Sequence, residues 1–410
     1  MGWHSISILI VTTILTITIT TTPEMNLEGR IAITLSPTED NAHRVAINST
    51  RPVHACQMFH GKSIDETLKA LPLLFSICGT AQAAAAVRAC EQALDHSPSI
   101  KSEKIRQQLV ALETIREHLW RTLLGWGASL GEPLSEQTMA RVMTLQQQMR
   151  KALTGDTSPF QLQPQLSPSD SLMVSTLQQQ LIEIVEHSLL GISIAQWESI
   201  TSLDAFWGWS KQQKTVATRF IQQLEHAGWN HLGECDSSLL PTLETELIHQ
   251  QLDQADFIAQ PLWKAIPRET TPFSRTQSPL LTTLYTHYGN GLLTRSVARL
   301  TELFQQLTQL LNPASQSSIA TYQPSVGIGL STAARGQLLH RVAVENSQII
   351  RYQILAPTEW NFHPQGVVTQ ALQQLEPDTA TVKQQASLII HAIDPCVGYD
   401  LTLNPTGTEC

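Results

Sequence analysis

The chain has 410 residues, of which 42% are hydrophobic and 15% are charged, and its formal net charge is −9. This length and composition allow a large buried core, arranged either as one large domain or as two or three small ones. The negative charge and the absence of a dense stripe of lysine and arginine argue against nucleic acid as a partner, because nucleic-acid-binding domains usually carry a basic face.

The chain begins with an apolar, threonine-rich stretch at residues 6–20 that resembles the hydrophobic part of a signal peptide. No lysine or arginine precedes this stretch, no clean cleavage site follows it, and it is shorter than the ~20 apolar residues of a membrane span. We interpret residues 1–24 either as upstream sequence before a true start at Met25 or as an export signal or anchor. The folded domain is expected to cover residues 25–410.

The next segments predict a short β-structure followed by a long helical region. Residues 30–35 and 44–47 are strand-like and flank a polar turn, as in a β-hairpin. Apolar residues then recur with a period near 3.6, which indicates helices. The predicted helices cover residues 81–94, 104–124, 136–153, 172–190, 211–226, 243–252 and 291–311.

Two further segments interrupt this helical pattern. Residues 155–171 contain three prolines and few apolar residues, which predicts a long loop. Residues 337–345 and 348–355 flank Asn346 and Ser347, which predicts a strand, a tight turn and a second strand. The fold class is therefore predicted to be α+β and predominantly α, with small peripheral β-hairpins.

Six cysteines are too few and too widely spaced for the disulfide framework of a small secreted domain, which favours a reducing cytoplasm. Cys78 and Gly79 lie at the start of the alanine-rich predicted helix, where the helix dipole favours a thiolate and hence a metal ligand. The alternative is that Cys78 is a small buried hydrophobic residue. Cys396 follows Asp394 and Pro395 in a turn, which is a less core-like position.

The other cysteines have no partner at the spacing of metal ligands. Cys56, Cys90 and Cys235 are expected to be buried thiols, and Cys410 an accessory thiol near the chain end. His54 and His60 form only a weak histidine and cysteine cluster with Cys56.

From about Leu27 to the C-terminus, these segments resemble the NiFe-hydrogenase large-subunit superfamily, and within it most of all the HupK/HoxV-type maturation members. Residues 27–30 are similar to the family's Ile-Glu-Gly-His opening. Residues 334–342 resemble its Arg-Gly-x-Leu-x-His stretch, and residues 352–364 contain its Ala-Pro-Thr-x-Trp-Asn segment. Residues 394–396 resemble the start of its Asp-Pro-Cys-x-x-Cys-x-x-His run. The resemblance implies a helical core like that of a hydrogenase large subunit.

The chain departs from this family where the enzymes hold nickel and iron with four thiolates. Tyr399 and Thr402 stand where the C-terminal run would have its second cysteine and its histidine. At the N-terminal run, Arg-x-Cys-Gly-x-Cys, one alignment gives Cys78 the second cysteine's place and Phe75 the first. An alternative alignment makes Cys78 the first cysteine and Ala81 the lost second one. Either way, one thiolate of each pair is missing.

The resemblance implies a site and a role. Cys78 and Cys396 would be iron ligands, and Arg335 would face a bound Fe(CN)2CO fragment because a guanidinium matches a cyanide that accepts hydrogen bonds. The alternative for Arg335 is an ordinary ion pair. Residues that flank these motifs are Gly79, Gly336, Asp394 and Pro395, and Ser63 replaces a glutamate associated with proton transfer in the enzymes.

With two thiolates, the chain is expected to be a cytoplasmic, non-catalytic scaffold that carries iron transiently as Fe(CN)2CO and does not bind nickel. Its expected partners are hydrogenase maturation proteins and the hydrogenase large subunit. Two alternatives are a metal-free interaction protein of the maturation complex and a degenerate or sensor-type hydrogenase.

Overall fold

The computed structural model describes residues 29–39, 42–75, 77–133, 135–313, 318–376 and 380–405. The predictions for residues 1–24, for the start at Met25 and for Cys410 fall outside these residues. Among the helices of the described ranges, none combines the length and the apolar character needed to cross a membrane.

The described residues form eight strands and sixteen α-helices. The strands are β1 Ile31–Pro37, β2 His43–Ser49, β3 Ser238–Leu239, β4 Arg268–Glu269, β5 Val326–Ala333, β6 Gly336–Glu345, β7 Gln348–Leu355 and β8 Tyr399–Leu403. The helices are α1 Ile64–Ala70, α2 Gly79–Ala93, α3 Ile100–Leu119, α4 Gly127–Ser129, α5 Glu136–Thr154, α6 Ser171–Val185, α7 Ile194–Glu198, α8 Leu203–Gln212, α9 Val216–Ala227, α10 Thr245–Leu252, α11 Pro272–Arg275, α12 Pro279–Tyr288, α13 Leu292–Gln309, α14 Pro357–Asn361, α15 Val367–Gln373 and α16 Val382–Ile393. Short 3₁₀ helices span Ala55–Phe59 and Leu71–Leu74, and π-helices span Trp120–Trp126 and Glu186–Leu190.

The fold class is confirmed as α+β and mostly α, and the long periodic segments are helices as predicted. One predicted helix, residues 211–226, is wrong as a continuous element. The chain breaks at residues 213–215, because the Thr215 side chain accepts a hydrogen bond from the backbone N–H of Thr218 and so starts α9 anew. Residues 155–170 contain no helix and no strand.

The first sheet joins the two ends of the described chain, with strand order β2-β1-β8. Strands β1 and β2 form the predicted antiparallel hairpin, with Ile33 opposite Ile47. Strand β8 was not predicted; it runs parallel to β1 and pairs Ile31 with Tyr399. Because β8 begins three residues after Cys396, this pairing fixes the position of Cys396.

The second sheet, β5-β6-β7, is antiparallel and contains the predicted turn at Asn346 and Ser347, both with positive φ. The sequence had predicted peripheral hairpins. This sheet instead packs its strand β5 against the alanine-rich helix α2. A Cβ atom at Gly329 would lie 1.9 Å from the Ala85 carbonyl oxygen, and one at Gly327 would lie 2.0 Å from that of Ala89. The two glycines therefore allow strand and helix backbones to touch, and they position the N-terminus of α2.

Candidate metal centre

A cavity of about 70 Å³ brings Cys78 and Cys396 together. Both thiols are partly exposed, as expected for side chains in a cavity wall. The wall also contains a third thiol, Cys56, and two charged side chains, Arg51 and Glu359. The rest of the wall is largely apolar and includes Val53, Phe59, Leu74, Phe75, Ile77, Ile354 and Val397.

Cys78 is the residue that directly precedes the first turn of helix α2, as the sequence predicted. The N–H groups of that turn do not stabilise its sulfur, however, because Glu113 takes them: its carboxylate accepts hydrogen bonds from Thr80 N at 2.8 Å and Ala81 N at 3.0 Å. Burial, and then the charges of Cys396 and Glu113, raise the pKa of the Cys78 thiol to about 12. In the metal-free protein, burial and a competing carboxylate thus oppose the effect of the helix dipole, and the role of Cys78 as a thiolate ligand stays a prediction.

A chain of buried hydrogen bonds leads from the second sheet to Cys78. Tyr352 Oη lies 2.8 Å from His340 Nδ1, His340 Nε2 lies 2.7 Å from Gln82 Oε1, and Gln82 Nε2 donates to Cys78 Sγ at 3.6 Å. Because an amide oxygen can only accept, His340 carries its proton on Nε2 and accepts from the tyrosine on Nδ1. Burial lowers the pKa of His340 to about 3, so the ring is neutral at pH 7. The chain orients Cys78 without placing a charge beside it.

Cys396 follows the end of helix α16, where Asp394 adopts a left-handed conformation with a φ of +69° and Pro395 is buried. This turn directs the Cys396 side chain to two polar neighbours. Arg51 Nη1 donates to Cys396 Sγ at 2.7 Å, and Thr358 Oγ1 lies 2.9 Å from the same sulfur. Arg51 Nε also donates to Glu359 Oε1 at 2.6 Å. Cys396 is therefore held by a cation and a hydroxyl group.

Asp394 itself turns away from the cavity into a group of arginines. Its carboxylate lies 2.7 Å from Arg121 Nη2, 3.4 Å from Arg335 Nη2 and 3.7 Å from Arg299 Nη2. Burial alone would raise the pKa of Asp394, but these three guanidinium groups lower it to about 2. Asp394, two residues before Cys396, is thus the centre of a buried ion-pair cluster.

Arg335 lies beside the thiols but not in the wall of the cavity. Its guanidinium donates hydrogen bonds to the carboxylates of Glu117, at 2.8 Å, and Asp394. Its Nε has no hydrogen-bond partner among the described residues, and its backbone carbonyl accepts a hydrogen bond from Asn361 Nδ2 at 3.0 Å. Burial lowers the pKa of Arg335, but the charges of Asp394, Glu117 and Cys396 raise it above the ordinary arginine value. The contact between Arg335 and a bound iron ligand stays a prediction.

The flanking glycines have packing roles. A Cβ atom at Gly79 would lie 3.0 Å from the Pro72 carbonyl oxygen, and one at Gly336, whose φ is +143°, would lie 2.3 Å from that of Thr270. Ser63 caps helix α1 in a reciprocal pair of hydrogen bonds with Glu66 and does not line the cavity.

Several cavity residues were missed by sequence reasoning. Glu359, which lines the cavity, and Thr358, which contacts Cys396 without lining the cavity, both lie within the Ala-Pro-Thr-x-Trp-Asn segment, so the family resemblance could have marked them. Arg51 lies outside the family motifs, so nothing in its local sequence marked it, and Cys56 had been expected to be a buried thiol in a weak cluster with His54 and His60. Phe75 lines the cavity beside Cys78 whereas Ala81 is buried inside helix α2, which favours the alignment that gives Phe75 the place of the first lost cysteine.

The side chains of this cavity fit a small iron fragment that brings its own ligands better than a metal ion that is ligated by the protein alone. Within the described residues, no group of three or more His, Cys, Asp or Glu side chains is arranged to hold a metal ion. Cys56 therefore does not join Cys78 and Cys396 in a three-ligand group, and the latter two thiols, which are soft ligands suited to iron, leave most coordination positions to ligands that the metal must bring with it. A water molecule needs about 10–15 Å³ of such a cavity, so this one has room for several ligands of one or two atoms.

Comparison with known proteins confirms the resemblance inferred from the sequence. The family model for nickel-dependent hydrogenase matches residues 270–399. The hydrogenase expression/formation protein HupV of Azotobacter chroococcum mcd 1 is 26% identical over 388 residues, which cover 92% of this chain and 99% of that protein. The hydrogenase expression/formation protein HoxV of Cupriavidus necator is 28% identical over 380 residues, which cover 86% of this chain and 91% of that protein.

A solved structure has the same fold. The Ni-Fe-Se hydrogenase from D. vulgaris Hildenborough in the reduced state superimposes with a TM-score of 0.60 and 15% sequence identity, covering 88% of this chain and 94% of that one. At this identity the likeness extends to the fold alone. The names of the two sequence relatives indicate factors for the expression or formation of a hydrogenase rather than hydrogenases.

Proposed function

We propose that this chain, which belongs to the NiFe-hydrogenase large-subunit superfamily, is a non-catalytic scaffold of hydrogenase maturation that holds iron as Fe(CN)2CO before its transfer to a hydrogenase large subunit. The observation that carries the proposal is the meeting of Cys78 and Cys396 in one small cavity. The names of its relatives, which cover nearly the whole chain, support the maturation role.

The chemistry of the cavity suits a carrier. Two thiolates can hold one iron, and CO and cyanide supply the remaining bonds as part of the cargo. Most of the wall is apolar, Arg51 in the wall offers a hydrogen-bond donor, and Thr358 offers another beside Cys396. Because only two protein ligands have to be exchanged, release to another protein is easier than from a site with four.

Infrared spectroscopy tests the cargo directly. The protein would be co-expressed with the hydrogenase maturation machinery and purified without oxygen, and CO and cyanide stretching bands are expected. Cys78→Ser and Cys396→Ser should each abolish these bands, the iron content and hydrogenase maturation while leaving the fold intact. Cys235→Ser is the matched control, since Cys235 is half-buried but does not line the cavity. Normal maturation with either cavity variant would refute the assignment of the site.

The second candidate is a metal-free interaction protein of the same maturation complex, which the absence of a three-ligand group among the described residues favours. It predicts no infrared bands and no iron, with maturation still dependent on the chain. A hydrogenase function predicts hydrogen-dependent dye reduction and stoichiometric nickel, and we expect neither from a site with two thiols. The partners in either role would be maturation proteins and the hydrogenase large subunit, in the cytoplasm.

A further inference from the structure

Positive charge exceeds negative charge behind the two thiols. Glu117 lies 2.7 Å from Arg116 Nη2 and 2.8 Å from Arg335 Nη1, and Asp394 pairs with three guanidinium groups. We call this group the arginine cluster; it consists of Arg116, Arg121, Arg299, Arg335, Glu117 and Asp394. Four guanidinium groups face two carboxylates within this cluster, and the nearby carboxylate of Glu113, which interacts with both Arg116 and Cys78, reduces the excess beside the cavity to one positive charge.

Arg51 brings a further cation into the cavity wall itself. Its side chain is 12% exposed, and among the described residues that line the cavity it is the only one with a positive charge. Glu359, with a side chain 6% exposed, balances it at 2.6 Å. Arg51 Nη1 also donates to Cys396 Sγ at 2.7 Å, so a metal ion bound to that sulfur would lie next to a guanidinium group.

We propose that Arg51 makes the cavity selective for an iron that carries anionic ligands and excludes bare divalent metal ions. The inference rests on the proposed function, because it names the residue by which the same cavity chooses its cargo. A bare divalent ion bound to two thiolates forms a neutral unit. The excess positive charge of the arginine cluster then stays unbalanced, and the metal ion lies next to the positive charge of Arg51.

An iron fragment with two cyanides meets the opposite situation. Iron(II), two thiolates, two cyanides and a neutral CO together carry two negative charges, which the positive excess beside the cavity and the Arg51 guanidinium stabilise. The cyanide nitrogen also accepts hydrogen bonds, and the Arg51 guanidinium has N–H groups to donate. The same side chain therefore repels one class of metal species and binds the other.

The experiment measures the affinity of the empty, reduced protein for Zn²⁺, by competition with a chromophoric chelator in the absence of oxygen. Arg51→Gln removes the cation, and we expect Zn²⁺ to bind at least about tenfold more tightly than to the unaltered protein. Arg51→Lys keeps the charge and should stay within about threefold of the unaltered protein. Adding Cys396→Ser to Arg51→Gln should remove the gain, which locates the zinc at the thiols.

A second variant separates the effect of Arg51 from that of its partner. Arg51→Gln leaves Glu359 as a buried, unpaired carboxylate, which could destabilise the protein or bind zinc by itself. Arg51→Gln combined with Glu359→Gln removes both charges, and circular dichroism checks that it is folded. We expect it still to bind Zn²⁺ more tightly than the unaltered protein.

Zinc affinity that is unchanged in both Arg51→Gln variants overturns the proposal, as does an equal gain in Arg51→Lys. Loss of the infrared bands in Arg51→Gln without any gain in zinc affinity also overturns it, since Arg51 would then hold iron without selecting it. The failure of the proposed function would be seen separately, as an absence of CO and cyanide bands in the unaltered protein. Zinc affinity is measured on protein without cargo and does not depend on those bands.

Discussion

Cys78 and Cys396 line one cavity, but the side chains around them differ in kind. The groups that orient Cys78 are neutral, namely the amide of Gln82, a neutral His340 and the alanine-rich helix α2 packed against β5. Its carboxylate neighbour Glu113 is bound by the N–H groups of α2. Charged groups surround Cys396, with Arg51 on its sulfur and three guanidinium groups on the neighbouring Asp394. The site therefore depends on close apolar packing on one side and on a buried ion-pair cluster on the other.

The difference shows how one cavity can be stabilised without its ligands. Close packing fixes the Cys78 side chiefly through the shapes of helix and strand, which depend little on salt. The Cys396 side is fixed by charges that must all be present, because each buried ion is costly without its partners. Removing one group from each side should have consequences of different size.

The largest expected effect is on the charged side, from Asp394→Asn. The substitution leaves four guanidinium groups around a single carboxylate, and we expect the free energy of unfolding to fall by about 3–5 kcal/mol in urea titrations. The backbone is not the cause, since asparagine readily adopts a positive φ. Asp400→Asn is the control: its ion pair with Arg30 is exposed, so the free energy of unfolding should change little. Equal losses in the two variants would contradict the role of the cluster.

A smaller effect is expected on the packed side, from Gly329→Ala. The new methyl group would overlap the Ala85 carbonyl oxygen and force β5 and α2 apart, so we expect a loss of about 1–3 kcal/mol in the same titration. Gly208→Ala, in helix α8 with no atom near the added Cβ, should be neutral or stabilising. If Gly329→Ala is as stable as Gly208→Ala, the strand and helix are not in close contact.

Counted per pH unit, the smallest effect is a pH dependence that belongs to the Cys78 side. His340 has a folded pKa of about 3 and an ordinary value of 6.5, so the unfolded chain binds the extra proton between these values. Stability is complete above pH 6.5 and falls as the pH decreases, by about 1.4 kcal/mol per pH unit for this histidine. Asp394, with a folded pKa of about 2 and an ordinary value of 3.8, adds to the loss of stability only as the pH falls to about 4 and below.

Urea unfolding between about pH 4 and about pH 7 measures this slope. His340→Gln keeps a donor and an acceptor at the position but cannot titrate, so its slope should be shallower. Other buried histidines, such as His249 with a pKa lowered to about 4 by burial, account for the slope that remains. An unchanged slope in His340→Gln would show that His340 is already protonated in the folded protein.

Much of the fold could be predicted because its signals are local. The alternation in β1 and β2, the alanine-rich run of α2 and the turn at Asn346 and Ser347 each depend on residues close together in the chain. The elements that were missed depend on distant partners. Strand β8 forms because β1 offers it an edge, and β5 contains two glycines whose purpose appears only when helix α2 lies against them.

The sequence by itself determined the fold class, the family resemblance and the two cysteines that could serve as ligands, since these depend on residue types and their order. Only the tertiary structure placed Cys78 and Cys396 in one cavity and added Arg51 to its wall. The physical reason is that a motif records neighbours along the chain, whereas the charge around a buried thiol is the sum over side chains from many distant segments. Arg51, Glu113 and Arg121 acquire their roles only through that folding.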